Sequence, residues 1–197
     1  MKEYQVSARK YRPSKFEDVV GQNHITNTLS NAIQNNQIAH AYLFCGPRGV
    51  GKTSCARIFA KLINNEISSE YNLFELDGAS NNSVDDIRNL IDQVKIPPQI
   101  GKYKTYIIDE VHMLSKSAFN AFLKTLEEPP KHSIFILATT EKEKIIPTIL
   151  SRCQIFDFNR ISTNEISNYL QKISTQENIQ VEQDTLNLIS EKSDGSL

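Results

Sequence analysis

The chain has 197 residues, 39% of them hydrophobic and 23% charged, with a formal net charge of −1. That is enough for one sizeable domain plus part of a second. It excludes a global basic field of the kind that advertises nucleic acid, so any DNA contact must come from a local patch or from several subunits together.

The cysteines Cys45, Cys55 and Cys153 are odd in number and lack CxxC spacing. They point to buried thiols in a reducing cytoplasm rather than to disulfides or zinc. Lys2 and Glu3 lead into a polar, basic run, unlike a signal peptide. No apolar run approaches the ~18 residues a membrane span needs.

In chain order, Lys2, Arg9, Lys10, Arg12 and Lys15 make the first fifteen residues basic, which reads as a solvated tail or as part of a site. "AYLFCG" (41–46) predicts a buried strand. "TSCARIFAKLIN" (53–64) predicts a helix with Ala56, Phe59, Ala60 and Ile63 at helical spacing. "NLFEL" (72–76) is a strand. "SVDDIRNLIDQV" (83–94) is a helix capped by Ser83, with Val84, Ile87, Ile91 and Val94 on one face. "KTYIIDE" (104–110) is a strand ending in two acids, and "SKSAFNAFLKTLEE" (115–128) a helix stopped by Pro129-Pro130. "SIFILATT" (133–140) and "QIFDF" (154–158) complete the strands.

This alternation predicts an α/β fold, a mostly parallel sheet with helices on both faces over residues 1–160. From residue 161 the pattern is helical. Ser162 and Glu165 form a capping box before Ile166, Leu170 and Ile173, and Asp184 is expected to cap a second helix carrying Leu186 and Ile189. Residues 161–197 therefore read as a small helical lid, cut short at Leu197.

Three elements carry chemistry. Gly46-Pro47-Arg48-Gly49-Val50-Gly51-Lys52-Thr53, followed by Ser54, fits G-x4-G-K-[ST] between a strand and a helix. Such a loop aims backbone N–H groups and a helix dipole at phosphates. Lys52, expected to face solvent without ligand, would reach the β- and γ-phosphates of ATP, and Thr53 would hold Mg2+. Asp109 and Glu110 end a buried strand at the sheet edge where ligands bind. There Asp109 would hold Mg2+ through water and Glu110 would polarise the attacking water. Thr139 and Thr140 end the next strand, where a hydroxyl would hold that water or the γ-phosphate. Arg152, in "ILSRCQIF", has no evident task within one subunit, and its spacing alone favours a surface arginine paired to a carboxylate.

The stretches "ARKYRPSKFEDVVGQ", "HAYLFCGPRGVGKTS", "LDGASNNSVDDIR", "YIIDEVHMLSKSAFNAFLKTLEEPP", "FILATTEKEKIIPTILSRC" and "GSL" resemble the bacterial DNA polymerase III gamma/tau family of clamp-loader AAA+ ATPases. The resemblance covers almost the whole chain, although Phe122 stands where the family commonly has leucine. It implies a P-loop AAA+ fold and an ATPase without a polymerase active site. The family loads a sliding clamp onto primed DNA, in a ring with other loader subunits and further copies of itself. It implies that Arg152 acts as a finger in the neighbour's ATP site, and that Tyr11, Arg12, Pro13, Val19 and Val20 cradle the adenine.

Two departures matter. The family's four-cysteine zinc module is missing near Asn65, so no zinc is expected. An arginine expected after "GSL" falls just past Leu197, so the chain alone is expected to be a monomer that binds ATP or ADP and hydrolyses ATP slowly. The alternative is an AAA+ DNA translocase, a branch-migration or helicase motor. The intact Gly46, Gly51, Lys52 and Thr53 speak against a scaffold that does not hydrolyse nucleotide.

Overall fold

A computed structural model describes residues 6–64 and 71–197. Five parallel strands lie in the order β2-β3-β4-β1-β5: β1 (Ala41–Cys45), β2 (Leu73–Asp77), β3 (Lys104–Asp109), β4 (Ser133–Thr139) and β5 (Gln154–Asp157). Helix α1 (Ser7–Lys10) begins the described chain, then α2 (Asn23–Gln34), α3 (Lys52–Asn64), α4 (Val84–Val94), α5 (Lys116–Glu127) and the short α6 (Pro147–Leu150). Helices α7 (Thr163–Gln176) and α8 (Gln183–Lys192) follow the last strand and pack on each other.

The sheet is covered on both faces, which is why its central strands are continuous apolar runs. β4 is buried at every position. Its Phe135 and Leu137 join Tyr106, Ile108 and Leu43 under α4, α5 and α6, while Ile134, Ile136 and Ala138 join Tyr42, Phe44 and Ile107 under α2 and α3. Each fully buried Leu, Ile or Phe contributes about 1.5–3 kcal/mol. The two buried tyrosines keep their hydroxyls satisfied: Tyr42 accepts from the Ala39 N–H (2.7 Å) and Tyr106 donates to the Gln93 carbonyl (3.2 Å).

The strands and the helices α3, α4, α5 and α7 follow the sequence within one or two residues; the Ser162–Glu165 capping box forms, and the Ser83 cap is completed into a box by Asp86. Two expectations about α8 are corrected. Its N-cap is Glu182, with no side-chain bond, and Asp184 sits inside the first turn, where its charge meets the helix dipole without capping it. Leu186 is buried but Ile189 is 48% exposed.

The junction between the sheet and α7 is fixed by Gln22, which is fully buried. Its amide donates to the Asn159 carbonyl (2.7 Å) and its carbonyl accepts from the Asn159 N–H (3.2 Å). Ile161 donates its N–H to the Gly195 carbonyl (3.0 Å), bringing the end of the chain back to the sheet.

Candidate functional site

The loop after β1 turns through positive φ at Gly46 (146°), Gly49 (77°) and Gly51 (99°), conformations that L side chains rarely adopt. It closes around Lys52. The lysine is only 6% exposed, so the expectation that it faces solvent is corrected. Its Nζ donates to the carbonyls of Gly46 and Pro47, each at 2.7 Å, and these bonds compensate a cation that would otherwise be stranded. Burial pushes its pKa below the ordinary value of 10.5, opposed by the nearby charges of Glu110 and Asp109. Arg48 is exposed, Val50 is buried, and Pro47, Thr53 and Ser54 are half-buried.

The end of β3 meets this loop. The Thr53 hydroxyl donates to Asp109 Oδ2 (2.7 Å). A hydroxyl and a carboxylate converging at the sheet edge fit a hard divalent cation that keeps several waters. Glu110 follows in the left-handed region (φ 46°, ψ 46°), strained for a non-glycine residue. Its Oε2 accepts from the Thr140 N–H (3.3 Å) and hydroxyl (3.0 Å) at the end of β4. Thus Lys52, Thr53, Asp109, Glu110 and Thr140 come together from three adjacent strand ends. Thr139 Oγ1 turns instead to the His112 ring and the Glu141 N–H, both at 3.0 Å.

The lid reaches the same loop. Leu197 donates its N–H to the Gly49 carbonyl (3.0 Å), and a Cβ at Gly49 would lie 2.6 Å from Ser196 Cβ. The "GSL" stretch therefore lies against the phosphate loop.

The five adenine candidates make different contacts. Val19 is buried beside the loop, 3.7 Å from where a Gly51 Cβ would stand, with Val20 half-buried next to it. Tyr11 is tied to α7 and its C-cap: its hydroxyl donates to Glu177, which also holds Lys10, and its carbonyl accepts from the Tyr169 hydroxyl (2.9 Å). The hydrogen bonds from Lys10 and Tyr11 hold the Glu177 carboxyl below its usual value. Arg12 and Pro13 line a small cleft of about 220 Å³ with Arg57, Ile58 and Lys61 of α3.

Arg152 lies at the opposite edge of the sheet. It precedes β5, whose Gln154 pairs with Tyr42 near the start of β1, and it lines a groove of about 620 Å³ with Ala39, His40 and Glu127. The phosphate loop leaves the other end of β1, a strand's length of roughly 13 Å away. The guanidinium is held by Glu127 (2.6 Å), the Thr148 carbonyl (2.7 Å) and the Ser151 hydroxyl (3.1 Å). It therefore has the carboxylate partner its spacing suggested, and it does not reach the loop of its own chain.

Burial raises all three thiols, Cys45 to about 11 and Cys55 and Cys153 to about 12, so none is a nucleophile at neutral pH. Among the described residues no group of three or more His, Cys, Asp or Glu is placed to hold a metal. Asn65, where a zinc ligand would be expected, lies outside them. Among the described residues no helix is long and apolar enough to cross a membrane.

Residues that sequence reasoning passed over are Gln22, Glu127, His112 and Glu141. His112 lies two residues beyond Glu110, and Glu141 directly follows Thr140.

Residues 21–75 and 61–162 match the family described as "DNA polymerase III, delta subunit". The chain is 53% identical to DNA polymerase III subunit tau of Bacillus subtilis over 98% of its length, and 45% identical to subunit tau of Escherichia coli over the same share. It spans only 38% and 33% of those two relatives. Both alignments run over 212 positions, more than the 197 residues here, so the relatives carry positions with no counterpart in this chain.

Among solved structures, the Thermotoga maritima RuvB Holliday junction branch migration motor has a TM-score of 0.75 at 20% identity, covering 94% of this chain and 61% of that one. A DNA polymerase III gamma subunit-related protein from the same organism has a TM-score of 0.60 at 21% identity, covering 84% and 57%. These two show a shared fold alone. Taken with the relatives along nearly its whole length, the chain belongs to the DNA polymerase III subunit family, in its gamma/tau group.

Proposed function

We propose that this chain binds and hydrolyses ATP as a subunit of a replicative clamp loader, with each ATP site completed by the neighbouring subunit. One observation carries the reading. The phosphate loop, Asp109, Glu110 and Thr140 converge at one edge of the sheet, while Arg152 stands at the other, held by Glu127 and out of reach of its own loop.

Residues 1–160 are the nucleotide-binding unit and 161–197 belong to a lid. The loop N–H groups and Lys52 take the β- and γ-phosphates, and Lys52 exchanges the Gly46 and Pro47 carbonyls for them. Mg2+, when bound, supplies a Lewis acid that neutralises charge between those phosphates. Thr53 and Asp109 would hold it, and no zinc is required. Thr140 fixes Glu110 through Oε2, leaving Oε1 to accept a proton from the attacking water. Val19 and Val20 border the adenine, with Tyr11, Arg12 and Pro13 holding the adjoining segment to the lid and to α3. Arg152 opposes the charge developing on a neighbour's γ-phosphate, so hydrolysis reports closure of a ring containing other loader subunits and copies of this chain. The ring's partners are a sliding clamp and primed DNA, in the cytoplasm. The chain alone is a monomer.

The assay is ATP turnover of the full-length protein in its assembled ring, with and without sliding clamp and primed DNA. Stimulation by the two together is expected. ATP-driven strand displacement without a clamp would mean a translocase instead.

A further inference from the structure

We propose that His112 is a positioning residue for Glu110, and that through Glu141 it ties Glu110 to the segment that ends in Arg152. The inference rests on the proposed role of Glu110 as the base.

The His112 side chain is only 5% exposed, and both ring nitrogens face named groups. Nε2 lies 3.0 Å from Glu141 Oε1. A carboxylate only accepts, so Nε2 carries the proton. In the neutral ring Nδ1 is then an acceptor, and the Thr139 hydroxyl, 3.0 Å away, donates to it. Thr139 Oγ1 in turn accepts from the Glu141 N–H (3.0 Å). Imidazole, threonine and glutamate thus close a ring of three hydrogen bonds in which each donor has one acceptor.

In the closed ring Nδ1 carries no proton and its lone pair is taken by Thr139, so it offers Glu110 no donor. Nδ1 lies 3.4 Å from Glu110 Oε2, acceptor against acceptor. Thr140 holds that same oxygen from the other side. Glu110 is therefore confined between a donor that fixes it and a wall that repels it. Beyond the two bonds from Thr140 it is spared a further hydrogen bond that would lower its basicity. This matters because its backbone is strained at φ 46° and its side chain is otherwise held only by Thr140 among the described residues.

Glu141 carries the link outward. It pairs with Lys144 (2.7 Å) in the turn Lys142–Lys144, and that turn leads through α6 to Arg152. A shift of Arg152 toward a neighbour's nucleotide pulls on a segment anchored to His112, and so on the glutamate of its own site.

The two amide variants separate the halves of this device. Asn places its amide where Nδ1 stands, and Gln where Nε2 stands. In the full-length assembled ring, His112→Ala should lower kcat by roughly ten- to a hundred-fold, the scale of a misplaced base, with KM and the Kd for ADP little changed. His112→Asn should recover most of the unstimulated kcat yet lose stimulation by clamp and primed DNA. His112→Gln, which keeps only the Glu141 contact, should stay slow. Melting temperatures and ADP affinity close to the parent's show that the fold persists.

The inference is overturned if kcat and KM move together, if Asn and Gln variants behave alike, or if His112→Ala turns over normally. A Glu110→Gln variant run in parallel keeps the two readings apart. If it stays active, the base assignment has failed. If it is inactive while His112→Ala is normal, only the positioning role has failed.

Discussion

Replacing Lys52 probes the phosphate loop where its structure is most specific. In the free protein the ammonium is desolvated and held by two carbonyls, and its lowered pKa shows that burial outweighs the attraction of Glu110 and Asp109. Removing the charge therefore relieves a desolvation cost while losing two hydrogen bonds, and these largely cancel. Lys52→Met keeps the aliphatic stem and should melt close to the parent. Lys52→Ala also removes three buried methylenes, at about 0.8 kcal/mol each, and should be about 2 kcal/mol less stable. Nucleotide binding should collapse in both. Losing one partner of a buried charge pair costs about 2–5 kcal/mol, which is roughly thirty-fold to several thousand-fold in Kd. Calorimetric titration with ADP and Mg2+ beside thermal melts separates the two effects. A Met variant that binds as tightly as the parent would refute the assignment of this loop to phosphate.

Three further outcomes follow from named contacts. Glu110→Gln should bind ATP normally but lose at least ~100-fold in turnover, checked by single-turnover hydrolysis, because the amide keeps the bond from Thr140 and cannot take the proton. Gln22→Ala should lower stability by about 1–3 kcal/mol in denaturant melts, because it orphans both the N–H and the carbonyl of Asn159. Nucleotide binding should be linked to proton uptake at alkaline pH. The free Lys52 has a pKa below 10.5 and phosphate raises it, so as pH climbs through the free-state value the free lysine loses its proton and binding must restore it. Calorimetry in buffers of different ionisation enthalpy reads that uptake directly.

The strands were legible because a sheet covered on both faces demands runs such as "SIFILAT", and the phosphate loop because its glycines and lysine have a mechanical reason for their spacing. Helix α2 was not. "NHITNTLSNAIQ" is rich in Asn and Thr, its N-cap Gln22 makes no capping bond, and only Ile25, Thr26 and Leu29 are buried. The burial of Lys52 is not legible in the sequence, because charged residues are rarely buried unless paired and the carbonyls that pair it belong to the loop's own closed shape. The Asp184 cap failed by two residues, the usual scale of uncertainty at a helix end. The partners of Arg152 and His112 lie on other elements, Glu127 on α5 and Glu141 beyond β4, so only the fold reveals them.

A site shared between copies is tested most directly by mixing two inactive variants. Arg152→Ala should lower turnover at least ~100-fold in the assembled full-length protein, yet change the already slow 197-residue chain almost not at all. Lys52→Met should inactivate its own site while leaving its Arg152 available to a neighbour. Assembled together, the two variants should recover turnover that neither shows alone, from sites in which an intact Lys52 faces an intact Arg152 on the next subunit. A mixture no more active than its components, together with an equal loss on Arg152→Ala in the isolated chain, would place Arg152 in its own chain's site and contradict the shared site.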